Sequence, residues 1–288
     1  MKAILQKEWH GYFSTVTGYL FTAFLMLFAG IFFSVFCLTG GLPSFEYVLS
    51  NMTFVFVIVT PILTLRGISE ERRQKTDRLL YALPIGLTRV VLGKYAALLG
   101  VLAVPTVLMG VYPVLLSMFG TVNLGAAYGS LLAFFLLGAA LLSIALYLSC
   151  MSDSPVACAA ICFAVVLVNY FLSTLALYLP GTADASLWLF LALCLLFALI
   201  VLRMTNAVWP AAVALVVSGG AVLAVWVANS EAFAGAFPAL LERLSLFEAF
   251  QSFVGGEMDL SAPFFYVSVR VVFVVLTVQS MEQRRWSE

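Results

Sequence analysis

The sequence predicts an all-α polytopic membrane protein with about eight transmembrane helices, and three observations carry that prediction. Of 288 residues, 64% are hydrophobic and only 10% charged, with a mean hydropathy of +1.10. A soluble domain of this size needs roughly 25% charged residues to cover its surface. The apolar residues also fall into runs of about twenty, the length a helix needs to cross the hydrocarbon core. Finally, Lys and Arg concentrate in alternate connecting segments, as they do when those segments face the cytoplasm.

The chain opens with MKAILQKEWHGYF, in which Met1, Ile4, Leu5, Trp9, Tyr12 and Phe13 recur at helical spacing, with Lys2, Gln6, Lys7 and His10 opposite. Residues 1–14 therefore predict an amphipathic helix lying in the headgroup layer. His10, the single histidine, is a polar-face residue without a neighbouring partner and is expected to be solvated. The following apolar run, Tyr19 to Leu38, is too long for a signal-peptide core and reads as a retained first span.

Spans are predicted near 16–39, 50–68, 90–119, 127–149, 155–179, 186–202, 208–228 and 263–281. The third is long enough to continue into water. Pro61 predicts a kink in the second span, and Pro105 and Pro113 predict kinks in the third. The pair 186–228 is joined by Arg203-Met204-Thr205-Asn206, and Arg203 would be costly at mid-bilayer, so that junction is expected at the cytoplasmic face. Residues 230–262 mix Phe and Leu with Glu242, Arg243 and Glu248. They are expected to lie on the outer surface as an amphipathic segment ended by Gly255 and Gly256.

With the N-terminus inside, the segments 1–15, 66–94, 150–154, 203–206 and 282–288 hold twelve of the fourteen Lys and Arg residues. Arg243 falls outside and Arg270 within a span, while Glu46, Asp184, Glu231, Glu242, Glu248, Glu257 and Asp259 collect outside. Both termini are then cytoplasmic.

Half of the positive charge sits in LRGISEERRQKTDRLLYALPIGLTRVVLGK, Leu65 to Lys94. Thr76 can cap a short helix there, Asp77 suits its first turn, and Pro84 stops it. Leu79, Leu80 and Leu83 form an apolar face on that helix, and Glu70, Glu71, Arg72 and Arg73 precede it. An apolar patch rimmed by charge fits docking to another protein. A positive-inside anchor with no partner accounts for the charge equally well.

Chemistry within the chain is not expected. There is no G-x-x-x-x-G-K-[ST], since Gly93-Lys94 lacks the upstream Gly and the following Ser or Thr. There is no H-E-x-x-H, no G-x-S-x-G and no second histidine for a triad. Cys158 and Cys162 share a helix face, but no further ligand completes a metal site, so the cysteines read as small packing residues. A net charge of zero offers nothing to nucleic acid. Gly125 and Gly129 make one G-x-x-x-G at a span start. Arg270 has two readings: a contact with an anionic substrate or partner, or a side chain that snorkels outward or pairs with Glu257 or Asp259.

The order of amphipathic helix, two spans, EERRQKTDRLLYALP (Glu70–Pro84) and VVLGKYAALL (Val90–Leu99) resembles the ABC-2 type permeases, most closely their gliding-motility and NosY-type subgroup. SLFEAFQSFVGGEMDL (Ser245–Leu260) and MEQRRW (Met281–Trp286) resemble the far end of the same subgroup. The subgroup commonly has Gly-Thr where this chain has Lys75-Thr76. It usually has six spans, so 186–228 reads as a hairpin added to a six-helix core.

The resemblance implies one permease domain over 1–288 in a bacterial cytoplasmic membrane. Its coupling loop, 69–88, would contact a separate ABC ATPase subunit through Glu70, Glu71, Arg72, Arg73, Thr76, Asp77, Leu79, Leu80 and Leu83, with Glu70 and Glu71 at the cytoplasmic gate. ATP and Mg would be bound by that subunit, with no cofactor in this chain. A second permease copy, identical or not, and membrane lipid are the other implied partners. Two other readings stay open: a non-transporting anchor or sensor subunit, and a membrane-embedded enzyme.

The charge asymmetry is directly testable. Lys75→Cys and Asp184→Cys, each made in a background lacking native cysteines, are expected to react with an impermeant maleimide from opposite sides of the membrane. Labelling of both from one side rejects the topology.

Overall fold

A computed structural model describes residues 2–75, 86–205, 208–228, 233–254 and 261–287, and every regular element among them is helical. The first half contains α1 (Lys2–Phe13), α2 (Val16–Phe32) with a π-helical continuation (Phe33–Thr39), α3 (Phe45–Met52), α4 (Val55–Thr64) and α5 (Ile68–Arg73). Then follow α6 (Leu87–Met109), α7 (Val111–Ser117), α8 (Leu124–Leu148) and α9 (Pro155–Tyr178). The remainder is α10 (Ala183–Thr205), α11 (Val208–Ala228), α12 (Ala236–Leu244), α13 (Leu246–Val254) and α14 (Ser261–Ser287). The chain gathers into two compact units, Met1–Tyr170 with Ala249–Glu288, and Phe171–Glu248.

The first unit is built around α8. Its sequence, Leu alternating with Ala, Gly and Ser, combines strong helix formers with side chains small enough for close packing. Asn123 starts the helix by accepting a hydrogen bond from the Ala126 amide at 3.3 Å. Helices α3, α4, α6 and α14 all pack on it. The tightest approach is at Gly138, where a Cβ would fall 2.8 Å from both Leu102 of α6 and Phe56 of α4. Gly125, by contrast, is exposed, so helix packing uses a glycine outside the G-x-x-x-G spacing.

Among the described residues five helices are long and apolar enough to cross a membrane: Val16–Thr39, Leu87–Ser117, Leu124–Leu148, Pro155–Tyr178 and Ser261–Arg284. A sixth arises if Phe45–Met52 and Val55–Arg73, bent by 54°, form one broken span. The second span was expected to kink at Pro61, but α4 runs through that residue and the bend lies at Thr53–Phe54. There the Thr53 hydroxyl donates to the Ser50 carbonyl at 2.7 Å, and the Phe56 and Val57 amides bond only three residues back. The third span does break near a predicted proline. A proline ring crowds the carbonyl four residues back, for Pro113 that of Met109, and α6 ends at Met109 while α7 begins after Gly110. Helix α6 passes through Pro105 unbroken.

In the second unit α10 and α11 pack along each other, with Gly219 facing Leu191. Phe190 meets Phe233 and Phe237 edge-on at 5.8 and 5.2 Å. The apolar stretches described here, Ala183–Leu199 and Ala212–Val227, are each shorter than a full span. Gly255 and Gly256 lie outside the described residues.

Packing at Gly138 yields a stability prediction. Gly138→Val is expected to destabilise the detergent-solubilised protein by about 1–3 kcal/mol through overpacking, whereas Gly125→Ala leaves it unchanged. Equal thermal midpoints for wild type and Gly138→Val would show that α8 is not the packing centre.

Candidate functional site

Helix α5 is six residues long and cannot be stable alone. It is held from two sides. The Ile68 amide donates to Ser149 Oγ at 3.2 Å, anchoring its start to the end of α8. Beyond its end Lys75 adopts φ 56°, the left-handed conformation that favours glycine. That is the position at which the resembled subgroup commonly has Gly.

On one side of α5 stands a buried ionic cluster. Lys94 of α6 is 5% exposed, and its ammonium lies 2.8 Å from Glu71 and 2.9 Å from Glu8 of α1. Lys7 approaches Glu71 at 3.7 Å, so two cations balance two carboxylates. The Arg66 guanidinium donates to the Gly11 carbonyl. Apolar contacts place α1 for these pairings. A Cβ on Gly93 would lie 3.0 Å from Ile4, and one on Gly100 would lie 2.3 Å from the Trp9 ring. A side chain at Gly100 would force the Trp9 ring to move, and one at Gly93 would press on Ile4, so the two glycines let α1 lie this close to α6. Burial, reinforced by the Glu8 charge, pushes the Tyr12 phenol up, so it stays protonated at neutral pH. A cavity of about 370 Å³ between α1 and α5 is lined by Lys7, Glu8, Tyr12, Arg66 and Glu70.

On the other side Arg72 is buried. It donates through Nη1 to the Cys150 carbonyl and lies 3.8 Å from Asp153, in the α8–α9 connection. Arg284 of α14 reaches the same carboxylate at 3.1 Å and the Met151 carbonyl at 3.1 Å. Arg72 Nη2 is buried without a hydrogen-bond partner among the described residues. The Cys150 thiol is pushed up to about 12 by burial, against the pull of Arg72, and is inert at neutral pH.

Four of the five segments expected to share one side of the membrane, 1–15, 66–94, 150–154 and 282–288, thus meet around α5. The expected coupling residues divide. Glu71 and Arg72 lie in the junction, while Glu70 and Arg73 pair with each other at the surface at 3.0 Å. Thr76, Asp77, Leu79, Leu80 and Leu83 lie outside the described residues. Sequence reasoning missed Glu8, Lys94, Asp153 and Arg284 as partners. Glu8 stands four residues from both Ile4 and Tyr12, on the packed face, and Lys94 follows the glycine that admits Ile4. His10 is exposed, as its polar-face position predicts. Arg270, partly buried in α14, donates from Nε to the Tyr266 carbonyl at 3.2 Å. Its expected partners Glu257 and Asp259 lie outside the described residues.

Such a junction can transmit force. Separating a buried ammonium from its carboxylates leaves uncompensated charge, so the ion pairs hold α1, α5 and α6 in register. The arrangement offers no nucleophile–base pair, and among the described residues no three metal-ligating side chains converge.

The sequence model of the ABC-2 family transporter protein matches residues 38–187, just over half of the chain, which includes α5, Lys94 and Asp153. The chain belongs to that family, and is a multi-pass membrane permease of an ABC transporter. No curated protein matches it.

Removing one member of the cluster tests its strength. Lys94→Met leaves Glu8 and Glu71 facing each other and is expected to destabilise the protein by about 3–5 kcal/mol. Adding Glu71→Gln should recover part of that loss, with a coupling of about 0.5–3 kcal/mol in a double-mutant cycle. Strictly additive effects in chemical denaturation would show that the two residues do not interact.

Proposed function

We propose that this chain is the membrane-spanning subunit of an ATP-driven exporter of the gliding-motility and NosY-type subgroup, with ATP and Mg bound by a separate ABC ATPase and none by this chain. It sits in a bacterial cytoplasmic membrane with both termini inside and pairs with a second permease copy. Eight helices cross: a six-helix core, counting the bent pair as one, and the hairpin of α10 and α11. Residues 1–14 form the interfacial helix, and 230–262 lie on the outer surface.

The observation that carries this reading is the position of α5. It directly precedes the segment 76–85, which bears Leu79, Leu80 and Leu83, and α6 directly follows that segment at Gly86. A push from an ATPase on this segment meets α5 on one side and α6 on the other. Through Glu71, Lys94 and Glu8 it reaches α1, and through Arg72, Asp153 and Arg284 it reaches the α8–α9 connection and α14. A coupling loop of residues 69–88 requires such a contact, because hydrolysis in a partner chain has to act on several spans together. An anchor without transport has no need of one.

Leu80→Arg places an unpaired charge in the proposed ATPase groove, a change that commonly costs several kcal/mol when the charge is buried, of order 3–5. The variant is expected to insert normally yet lose the ATPase subunit on co-purification, or lose permease-dependent stimulation of hydrolysis. Leu195→Arg, on α10, should instead impair insertion. If Leu80→Arg leaves complex formation, hydrolysis and transport at wild-type levels, the loop is a charged anchor and the coupling reading is wrong.

A further inference from the structure

Between α6 and α14 runs a cavity of about 470 Å³, a volume in the range of small-molecule sites. Its walls are Leu92, Val271, Val274, Val275 and Val278, and several of these are open to the surroundings of the unit: Val271 is 57% exposed and Val275 48%. Polar groups stand at two levels. Thr88 and Gln279 line one end of the cavity, at the level where α6 begins and α14 approaches Arg284. Further along, Tyr95 and Arg270 line it together.

Arg270 follows Ser261, the start of its span, by nine residues, which at 1.5 Å per residue is about 14 Å. That places it close to the middle of a hydrocarbon core roughly 30 Å thick. An ionised side chain at such a depth normally faces protein, water or a counter-ion. Among the described residues no carboxylate lies within ion-pairing distance of Arg270; its Nε donates to the Tyr266 carbonyl of its own helix, and its guanidinium also hydrogen-bonds the Tyr95 side chain. The Tyr95 hydroxyl donates to the Ala139 carbonyl at 2.9 Å and its oxygen accepts from Arg270, which gives the guanidinium a hydrogen bond but no counter-charge. The groove therefore supplies a cation, a polar entrance and a lipid-open apolar wall, and among the described residues it holds no anion.

We propose that this groove binds the anionic headgroup of a membrane lipid, which enters at Thr88 and Gln279 and pairs with Arg270 while its acyl chains stay in the bilayer beside Val271 and Val275. A guanidinium at mid-depth offsets the cost of taking an oxyanion into the low-dielectric core, and a lateral opening spares the chains from entering protein. The inference rests on the permease reading and gives it a substrate class: an anionic amphiphile drawn from the leaflet on the α5 side.

The test uses the full chain in phosphatidylcholine nanodiscs doped with phosphatidylglycerol carrying a photoactivatable acyl-chain diazirine, or with the matching phosphatidylcholine probe. The phosphatidylglycerol probe is expected to cross-link peptides covering residues 88–95 and 271–279 about fivefold more than the phosphatidylcholine probe, the preference one basic side chain confers on an anionic lipid. Arg270→Gln should abolish the preference and Arg270→Lys retain it, while Val275→Trp, which fills the groove and keeps the charge, should abolish labelling there. A thermal midpoint for Arg270→Gln equal to that of wild type separates its loss of preference from misfolding. Equal labelling by both probes, or an unchanged preference in Arg270→Gln, would reduce the groove to an ordinary lipid-facing surface and overturn the proposal. So would spontaneous disulfide dimers of Val275→Cys, which would assign the groove to a second copy. None of these arms needs ATP hydrolysis, so a failure to recover an ATPase partner counts against the permease reading alone.

Discussion

One buried ammonium organises the charged end of the first unit. Lys94 sits 5% exposed at the start of a transmembrane helix, a place where an unpaired cation would be strongly disfavoured. It persists because Glu8 and Glu71 converge on it at 2.9 and 2.8 Å from two other elements. The geometry of those elements follows from this requirement. Helix α1 has to lie against α6 closely enough for Glu8 to reach, which Gly93 and Gly100 allow by leaving room for Ile4 and Trp9. Helix α5 has to turn Glu71 inward, which commits Arg72 to the opposite side and to the Cys150 carbonyl. A buried pair of this kind adds little net stability over an apolar equivalent, but it penalises any arrangement in which its members separate. Its contribution is register.

That register matters because the apolar part of the unit has few other means of setting it. Within lipid the helices gain little from hydrophobic segregation and associate by close packing and hydrogen bonds. The packing centre is α8, approached at Gly138 by Phe56 and Leu102 and joined to α6 through the Tyr95–Ala139 hydrogen bond. At the charged end the same helix leads into Ser149, which receives the Ile68 amide, and into the loop carrying Asp153. The core and the ionic junction are thus continuous through one helix. A displacement of α5 is felt by α8 and by the start of α6 together, which is the behaviour a transmission element needs.

Much of this was legible in the sequence, and the omissions have physical reasons. Apolar run length marked the long spans because a helix in lipid has to satisfy its own backbone over the full hydrocarbon thickness. The positive-inside pattern grouped 1–15, 66–94, 150–154 and 282–288, and the structure brings those segments into contact. Pairing within the group was not legible. Glu8 sits on a helix whose apolar residues drew attention to one stripe, and nothing local distinguishes a carboxylate aimed at α6 from one aimed at water. Lys94 stood in a motif noted for its likeness to a family, whereas its pairing depends on a residue 86 positions earlier in the chain. Proline was an incomplete guide as well. Pro113 marks the break after Met109, but the second span bends at Thr53–Phe54, where a side-chain hydroxyl and three-residue hydrogen bonds replace the regular ladder.

The central claim is that α1, α5 and the start of α6 move as one body when a partner ATPase acts on the segment between α5 and α6. Pulsed electron–electron resonance between spin labels at His10 and Arg89, both exposed and on different members of that body, measures this directly. In the assembled complex the distance is predicted to be the same in the nucleotide-free and vanadate-trapped states, while a label pair across the ATPase subunits shows that the cycle has turned. A shift or broadening of the His10–Arg89 distance on trapping would show that the Lys94 cluster opens during the cycle, and would contradict the account.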